Sequence, residues 1–199
     1  IVSRFPADYE LEGPQVELMN GKNVVGVPGK IDSQQLFSVE ALGSSLSYRW
    51  IPSEKRNGSY QRVDTGAPVT AGEGYVIKRT TEISLPSIES LTVDPPESYS
   101  IPVKAGWNLI ANPYGGNVSL ADVQLQTGAS EPMNWSEAVA GLHVVDGMYY
   151  YVGKDWGNSN VFEIGSEERD ATLIPRIGYW IYVNVVNEPD SLIISKPLQ

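Results

Sequence analysis

The sequence predicts an all-β protein built from two divergent copies of one small module, each a β-sandwich or barrel-like unit with at most a short helical turn. Three observations support this prediction. Short apolar runs alternate throughout with clusters of Gly, Pro, Asn and Ser, which is typical of many short strands joined by turns. Apolar residues do not keep a helical period over any long segment. A strand–glycine–strand pattern, finally, occurs twice.

The repeat depends on two pairs of matching segments. Residues 16–28 and 101–113 align without gaps, so that a Gly, an Asn, two aliphatic residues and a Pro coincide. Both segments predict a strand, a tight turn at the glycine, a second strand and a proline that ends the pairing. Residues 71–78 align in the same way with residues 175–182 through a shared Gly-Tyr. The offset is 85 residues in the first alignment and 104 in the second, so the second copy is the longer one.

The segments between these landmarks match more loosely. Residues 38–43 and residues 136–141 each predict one helical turn that ends at a glycine. A Gly-centred hairpin turn follows in each copy. This arrangement predicts that Tyr60 corresponds to Tyr149–Tyr151.

Each copy is expected to end in one more apolar strand, Ile83–Leu85 in the first and Leu192–Ile194 in the second. The additional residues of the second copy are expected around Gln126–Asn134 and Gly153–Asp170. A module of about 75 residues is small for a stable core, so we expect the two copies to pack together. We therefore divide the chain into an N-terminal linker, the first module, a Pro-rich connector and the second module, at residues 1–13, 14–88, 89–97 and 98–199.

Composition and charge argue against several classes of protein. The chain has no cysteine, so a disulfide framework and thiolate metal sites are ruled out. A formal net charge of −10 repels phosphate backbones, so nucleic acid is not an expected partner. Apolar runs do not reach the roughly 18 residues of a spanning helix, so membrane insertion is not expected. The chain starts Ile1-Val2 without a leader pattern, and we expect it to be a mature or excised part of a longer exported protein.

The second copy contains a recognisable combination of motifs: the strand Gly106–Tyr114 (GWNLIANPY), the tyrosine-rich hairpin Met148–Val152 and the closing strand Gly178–Ile181. This combination resembles accessory β-modules of secreted bacterial surface proteins, which occur in adhesins and in polysaccharide-degrading enzymes. The resemblance implies export and a β-module, and it implies no catalytic residues. The first copy departs from the pattern, with Lys22 and Val76 at the positions of the two tryptophans.

Catalytic residues are not predicted. The single histidine, His143, lies in an apolar strand-like segment, and the Gly-x-Ser-x-Gly pattern of a nucleophilic serine does not occur. Paired carboxylates could hydrolyse glycosides, which keeps a glycoside-active enzyme as a third hypothesis. The carboxylates considered for that role are Asp155, Glu163, Glu167, Glu168 and Asp170.

No resident cofactor is expected, with calcium as the one cation to consider. One histidine and no cysteine leave no ligand set for zinc. Calcium needs only oxygen ligands, and Asp155, Asn158 and Asn160 lie together in one polar segment. The spacing of an EF-hand loop is not present there, so a simple polar turn is the alternative interpretation.

Aromatic residues are the main functional indication. Trp107, Tyr179 and Trp180 belong to the repeated framework, and we expect them in the core or at its edge. Trp156 lies in a polar segment with amides and a carboxylate, the mixture that a sugar site uses. Strand alternation places the first and third of the three consecutive tyrosines on one face and the middle one on the other. The candidate ligand-binding residues are Trp156, Asp155, Asn158, Asn160, Tyr149, Tyr150, Tyr151 and Trp135.

Two functions follow as hypotheses. The first is a non-catalytic extracellular module that binds a polysaccharide or glycan, or attaches a larger exported protein to a surface. The second is a structural spacer or protein-interaction module, such as part of an adhesin, whose partners are neighbouring protein domains. Both imply a secreted or cell-surface location. Binding to polysaccharides would favour the first hypothesis, and stabilisation only by a partner chain would favour the second.

Overall fold

The fold is all-β, as the sequence predicts. The computed structural model describes residues 16–26, 29, 46–53, 58–64, 67–80, 83–85, 96–151, 161–164, 171–184 and 190–197. Strands predominate in these residues, and the one α-helix among them is α1 (Trp135–Ala140). A helix that is long and apolar enough to cross a membrane is not found in these segments.

Antiparallel strands make up most of the described chain. In chain order they are β1 (Val16–Leu18), β2 (Gly21–Gly26), β3 (Leu46–Ile51), β4 (Ser59–Arg62), β5 (Gly74–Arg79), β6 (Ile83–Leu85), β7 (Ser98–Val103), β8 (Gly106–Ala111), β9 (Val118–Ser119), β10 (Val123–Thr127), β11 (Met133–Asn134), β12 (Met148–Tyr151), β13 (Val161–Ile164), β14 (Thr172–Leu173), β15 (Gly178–Val183) and β16 (Asp190–Ser195). A 3₁₀ turn, Leu120–Asp122, joins β9 to β10. We call β1–β6 the first half and β7–β16 the second half.

Each half contains a four-stranded sheet with the same strand order. The first half has the order β2-β5-β3-β4, and the second half has β8-β15-β12-β13. The outer strands β1 and β6 also pair with each other, as do β7 and β16. In the second half, β16 continues into a second sheet of order β7-β16-β10-β11. The ribbon β9-β14 is built from the longer connections of this half.

The pairing register is the same in both sheets. Gly21 pairs with Arg79 and Gly106 pairs with Val183, so equivalent residues differ by 85 in β2 and β8 and by 104 in β5 and β15. These are the two offsets of the sequence alignment. The origin of the halves from one duplicated module stays a prediction, while their matched pairing is an observed property of the fold.

The sequence alignment was wrong between these strands. Tyr48 pairs with Arg62, and Tyr149 pairs with Glu163 at the same point of the other sheet. Equivalent residues therefore differ by 101, and Tyr48 rather than Tyr60 corresponds to Tyr149. The reason is that most of the additional residues of the second half precede β12. Little of the stretch 153–170 is additional.

The last strand also pairs in a different register from the one expected. Leu18 pairs with Ile83, and Val103 pairs with Asp190 at the corresponding position. Ile83–Leu85 therefore corresponds to Asp190–Leu192, two residues before the apolar stretch Leu192–Ile194. An apolar match alone does not set register in a strand, because a shift of two residues keeps the same face buried.

The turn between the first two strands of each half is held by a buried asparagine. Gly21 and Gly106 have φ values of 103° and 99°, which favour glycine. The Oδ1 atoms of Asn23 and Asn108 accept a hydrogen bond from the backbone N–H four residues earlier, at 3.0 and 2.9 Å. Their Nδ2 atoms donate to the carbonyl of that same residue and to the carbonyl of the turn glycine. Both amides are almost fully buried, so these bonds replace those that water would make.

One hydrophobic core draws on both halves. Tyr75 and Ile77 of β5 and Tyr179 and Ile181 of β15 are fully buried in it. These are equivalent residues, two positions apart in their strands, so the same face of each sheet turns inward. The two halves therefore share a core, which a module of about 75 residues could barely form alone.

The contacts between the halves are reciprocal. The backbone N–H of Gly26 donates to the carbonyl of Arg176 at 2.7 Å, and the N–H of Ala111 donates to the carbonyl of Gly72 at 2.7 Å. Gly26 is equivalent to Ala111, and Gly72 is equivalent to Arg176. Such exchange of equivalent contacts is the arrangement of a two-fold symmetric dimer, here within one chain.

Helix α1 belongs to the longer connection of the second half. Asn134 caps its first turn by accepting from the N–H of Glu137, whose carboxylate accepts from the N–H of Asn134, a capping box. The helix ends at Gly141, so the helical turn predicted at residues 136–141 is confirmed. Its proposed counterpart at residues 38–43 lies outside the described residues.

Candidate functional site

The candidate site is a group of aromatic side chains at the junction of the two halves. In the first half, Trp50 of β3 pairs with Tyr60 of β4, and strand alternation turns Tyr48 to the same face. In the second half, Trp107 pairs with Tyr182 on the equivalent face. The rings form a continuous series of edge-to-face contacts, which we call the aromatic cluster. Its members are Tyr48, Trp50, Tyr60, Trp107, Tyr149, Trp180 and Tyr182.

Trp50 joins the two halves within the aromatic cluster. Its ring centroid lies 5.1 Å from that of Tyr60 and 5.1 Å from that of Trp180. Its indole N–H donates to the carbonyl oxygen of Trp107 at 2.7 Å. Aromatic pairs at this spacing contribute about 0.5–1.5 kcal/mol beyond the burial of their surface. The ring of Trp50 is therefore held in place from both sides of the junction.

Tyr60 and Trp107 present the aromatic cluster to solvent. They are 48% and 39% exposed. The ring centroid of Trp107 lies 5.2 Å from that of Tyr182 and 6.2 Å from that of Tyr149. The exposed Val145 continues the surface, since its backbone N–H donates to the carbonyl of Tyr182. The result is an apolar and aromatic surface carried by paired strands, where side chains are held more firmly than in loops.

Three aliphatic residues form the base of the aromatic cluster. Val24, Val76 and Leu109 are buried and pack against Tyr48, Trp50 and Trp180. They come from both halves and form a small apolar group separate from the main core. The inner rings of the cluster are therefore part of the packing between the halves, and its outer rings are available for contacts.

The equivalent surface of the first half has a different character. Lys22 pairs with Lys78 at the point where Trp107 pairs with Tyr182. The same backbone thus carries two cations in one half and two aromatic rings in the other. Aromatic residues are therefore not required at these positions for the sheet to form.

A cavity of about 260 Å³ adjoins the aromatic cluster. Trp50 belongs to both, because it lines one wall of the cavity. The lining includes residues of both halves and combines charged, polar and apolar groups. These residues include Arg49, Trp50, Glu73, Ser100, Leu109 and Ile110.

Arg49 and Glu73 are the charged groups of this cavity. The Nη2 atom of Arg49 lies 4.0 Å from the Oε2 atom of Glu73, and both side chains are about one-quarter exposed. Arg49 also donates to the carbonyl of Pro68 at 3.2 Å. The hydroxyl of Tyr75 donates to Glu73 at 2.5 Å and accepts from the backbone N–H of Thr70 at 3.0 Å. Burial, together with the bond to Glu73, raises the pKa of Tyr75, which keeps it protonated as a donor.

The ligand residues predicted from the sequence do not lie together in one site. Tyr149 lies in the aromatic cluster, whereas Tyr150 is 9% exposed and packs in the main core. The backbone of Tyr151 continues β12, and its side chain lies outside the described part of the chain. The segment with Trp156, Asp155, Asn158 and Asn160 also lies outside it, so the structure does not describe the proposed calcium loop or the proposed loop aromatic.

Trp135 was wrongly predicted as a ligand contact. It is 2% exposed and packs in the core, as the first residue of α1. The physical reason is the capping box formed by Asn134 and Glu137, which begins the helix at Trp135, one residue before the predicted helical turn. The helix then turns the indole and Ala138 toward the core.

Most members of the aromatic cluster, among them Trp107, Trp50 and Tyr60, were not predicted as site residues. Trp107 was expected in the core or at its edge, and it is exposed instead. Alternation from its neighbour Asn108, which closes the glycine turn from the buried side, would have predicted an outward Trp107. Trp50 and Tyr60 could have been found from the hairpin between β3 and β4, in which they are opposite each other. Tyr179 is buried and Trp180 is half-buried, as expected.

The single histidine, His143, lies among the described residues. His143 is half-buried, and its carbonyl accepts from the backbone N–H of Asn184 at 2.8 Å. Within the described segments no group of three or more His, Asp or Glu side chains is placed to hold a metal ion. Asp155, Glu167, Glu168 and Asp170 lie outside these segments, as does the side chain of Glu163.

Comparisons with protein-family models, with curated proteins and with solved structures return no match to this chain.

Proposed function

We propose that this chain is a non-catalytic binding module for carbohydrate, acting as an appendage of a larger exported protein. The observation that carries the proposal is the aromatic cluster, which presents Tyr60 and Trp107 to solvent from strands at the junction of the halves. Sugar rings have C–H faces that pack against aromatic rings, and their hydroxyls bind nearby polar groups. The cavity beside Trp50 supplies such polar groups.

The difference between the halves supports a binding role for the exposed rings. Lys22 and Lys78 occupy the equivalent positions in the first half, so Trp107 and Tyr182 are not needed to hold the sheet together. A contiguous apolar surface is uncommon on a protein that binds nothing, because it also promotes aggregation. Exposed aromatic rings beside a cavity are the usual composition of a binding surface.

The test is retention on insoluble polysaccharides, using cellulose, chitin, xylan and mannan as separate matrices. The variant Trp107→Lys introduces the residue found at the equivalent position 22, and Tyr60→Ala removes the other exposed ring. Loss of each ring should weaken retention about fivefold to tenfold, because stacking contacts of this kind contribute about 1–1.5 kcal/mol.

Leu142→Ala is the matched control, since Leu142 is 76% exposed and does not belong to the aromatic cluster. It should leave retention unchanged. Failure of the unmodified chain to bind any of the matrices would reject the proposal, and so would unchanged retention in Trp107→Lys and Tyr60→Ala.

A protein-interaction module is the second candidate, favoured by the position of β4. Among the described residues this strand is the last one in the order of its sheet, and its residues Ser59–Arg62 are all exposed. An edge strand of this kind can accept a strand from a partner chain. Titration with the neighbouring domains of the full-length protein would then shift the NMR signals of Ser59–Arg62, while polysaccharides would leave them unchanged.

A further inference from the structure

We propose that the cavity between the halves is a subsite for one neutral sugar residue, of the size of a hexopyranose, bound through its hydroxyls by Arg49 and Glu73 together. This inference rests on the carbohydrate-binding function proposed above and assigns a second, more selective contact to it. The aromatic cluster would hold the polysaccharide chain, and the cavity would receive a chain end or a branch. Trp50 connects the two places because it belongs to both.

Arg49 and Glu73 are charged residues at positions where the second half has apolar or aromatic ones. Arg49 of β3 is equivalent to Tyr150 of β12, and Glu73 is equivalent to Ile177. Tyr150 and Ile177 are 9% and 7% exposed and pack in the main core. At these positions the second half is therefore filled by core side chains, whereas the first half has an ion pair that lines the cavity. The fold does not need charges at these positions, which argues for a role in binding.

Both charged groups are oriented before a ligand arrives. The bond from Arg49 to the carbonyl of Pro68 and the bond from Tyr75 to Glu73 fix one end of each charged group. A guanidinium has five N–H donors and a carboxylate has about four acceptor positions, so both groups can also bind a ligand. Preorganised groups lose little conformational entropy on binding, which favours a small ligand.

The arrangement of charges favours a neutral ligand. Arg49 and Glu73 are 4.0 Å apart, so a ligand carboxylate near the guanidinium would be repelled by the neighbouring carboxylate. A ligand ammonium would be repelled by Arg49 in the same way. Two adjacent sugar hydroxyls meet both requirements, since one can accept from Arg49 and the other can donate to Glu73.

The size and the remaining walls of the cavity fit one sugar ring. Its volume of about 260 Å³ is below the roughly 300–1,000 Å³ typical of sites for drug-sized ligands. Trp50 and the β8 residues Leu109 and Ile110 also line the cavity, which gives the C–H face of the ring apolar groups to contact. Ser100 adds a hydroxyl that can bind a further sugar oxygen.

The experiment uses the full chain and soluble methyl glycosides of glucose, galactose, mannose and xylose, with glucuronic acid and glucosamine as charged counterparts. Binding is followed by saturation-transfer NMR and by the emission of tryptophan, since Trp50 lines the cavity. At least one neutral glycoside should bind, and the charged sugars should bind more weakly.

The main variant combines Arg49→Tyr with Glu73→Ile, the residues found at the equivalent positions of the second half. Because that half accommodates them in the same backbone, the variant should fold. Glu73→Gln is a smaller change that keeps the size of the side chain. Each variant should weaken binding of the neutral glycoside tenfold or more, because hydrogen bonds to charged groups contribute about 1.5–3 kcal/mol. Leu142→Ala should bind like the unmodified chain.

The outcomes separate this inference from the proposed function. Neutral glycosides that bind equally well to the cavity variants would overturn it, as would tighter binding of glucuronic acid or glucosamine. Retention on a polysaccharide without binding of any glycoside would overturn the cavity subsite and leave the proposed function standing. A chain that binds neither polysaccharide nor glycoside would overturn both.

Discussion

The two halves of this protein have the same arrangement of paired strands, but they differ in the side chains that they present to solvent. The order and register of their sheets agree strand by strand, from the glycine turns to the last pair of strands. Their outward side chains differ, with Lys22 opposite Lys78 in one half and Trp107 opposite Tyr182 in the other. The comparison separates residues that form the fold, which recur in both halves, from residues that can serve binding, which occur in one.

Tyr75 and Tyr179 occupy equivalent positions, and they share one hydrogen bond while differing in another. Each hydroxyl accepts from the backbone N–H five residues earlier, at 3.0 Å from Thr70 and at 2.8 Å from Ile174. This shared bond is a feature of the fold. The additional bond from Tyr75 to Glu73 occurs only in the first half, where it orients a carboxylate that lines the cavity.

The largest expected loss of stability follows from replacing the turn asparagines, which occur in both halves. Asn23→Ala and Asn108→Ala each remove three hydrogen bonds from a buried turn, and we expect each to lower the free energy of unfolding by about 3 kcal/mol. Because the bonds are equivalent, the two losses should be similar. Urea denaturation followed by circular dichroism measures both.

Asn184→Ala is the control for this pair, since its side-chain amide makes an exposed bond to the carbonyl of Leu142 at 3.2 Å. Its cost should stay below about 1 kcal/mol. If one turn asparagine proved as tolerant as Asn184 while the other did not, the structural equivalence of the two turns would be refuted.

A smaller effect is expected where the halves meet. A Cβ atom at Gly74 would lie 2.7 Å from Cγ of Leu109 and 2.8 Å from the carbonyl oxygen of the residue that follows. A Cβ atom at Gly178 would lie 2.6 Å from Cγ1 of Val24 and 2.9 Å from the next carbonyl oxygen. Gly74→Ala and Gly178→Ala should therefore each cost about 2 kcal/mol through overpacking. Gly115→Ala, with no heavy atom within 4 Å of the new Cβ, should be close to neutral.

The outcome of the glycine series tests the reciprocal junction itself. Equal costs at Gly74 and Gly178 are expected only if the halves approach each other in the same way on both sides. A large cost at one glycine together with a neutral substitution at the other would show that the junction is not reciprocal in solution.

The elements that recur are those that the sequence predicted well. The positive φ of Gly21 and Gly106 and the amides of Asn23 and Asn108 are local requirements, and local requirements leave a residue pattern that can be read directly. The register of β3 and β12 is set by pairing with distant strands. Tyr60 and Tyr149 are the same residue type but lie in different strands of their sheets. The alignment by residue type therefore matched Tyr60 with Tyr149, whereas Tyr48 is the equivalent residue.

The candidate site was harder to predict because it combines residues from both halves. Trp50 and Trp107 are far apart in sequence and meet only through the packing of two sheets. Trp135 illustrates the opposite error, in which a core residue was predicted as a ligand contact. The spacing of Asn134 and Glu137 is a capping-box signal that could have placed Trp135 in the first turn of the predicted helix.

The smallest expected effect is the pH dependence shared by the equivalent tyrosines. Burial raises the pKa of Tyr75 and that of Tyr179 above the model-peptide value of 10.0. Below pH 10 both hydroxyls are protonated in the folded and unfolded states, and they add no pH dependence. Above pH 10 the unfolded chain loses protons that the folded chain keeps, so stability falls as pH rises until the folded pKa is reached.

Arg176 acts in the opposite direction within the same range. Burial lowers the pKa of Arg176 from 12.5 to about 10. Above pH 10 the unfolded chain therefore keeps a proton that the folded chain loses, which raises stability with pH. Because burial raises the pKa of Tyr99, Tyr114 and Tyr150 as well, the tyrosines should dominate.

We expect the free energy of unfolding to fall between pH 9 and pH 11, and Tyr179→Phe to reduce that fall by about 1 kcal/mol. The loss of its hydroxyl also removes the bond from Ile174, which lowers stability equally at both pH values and does not affect the difference. Tyr75→Phe should reduce the fall by a similar amount, since the two positions are equivalent. Urea titrations at the two pH values measure these differences, and a fall unchanged in Tyr179→Phe would show that this buried hydroxyl loses its proton as readily in the folded chain as in the unfolded one.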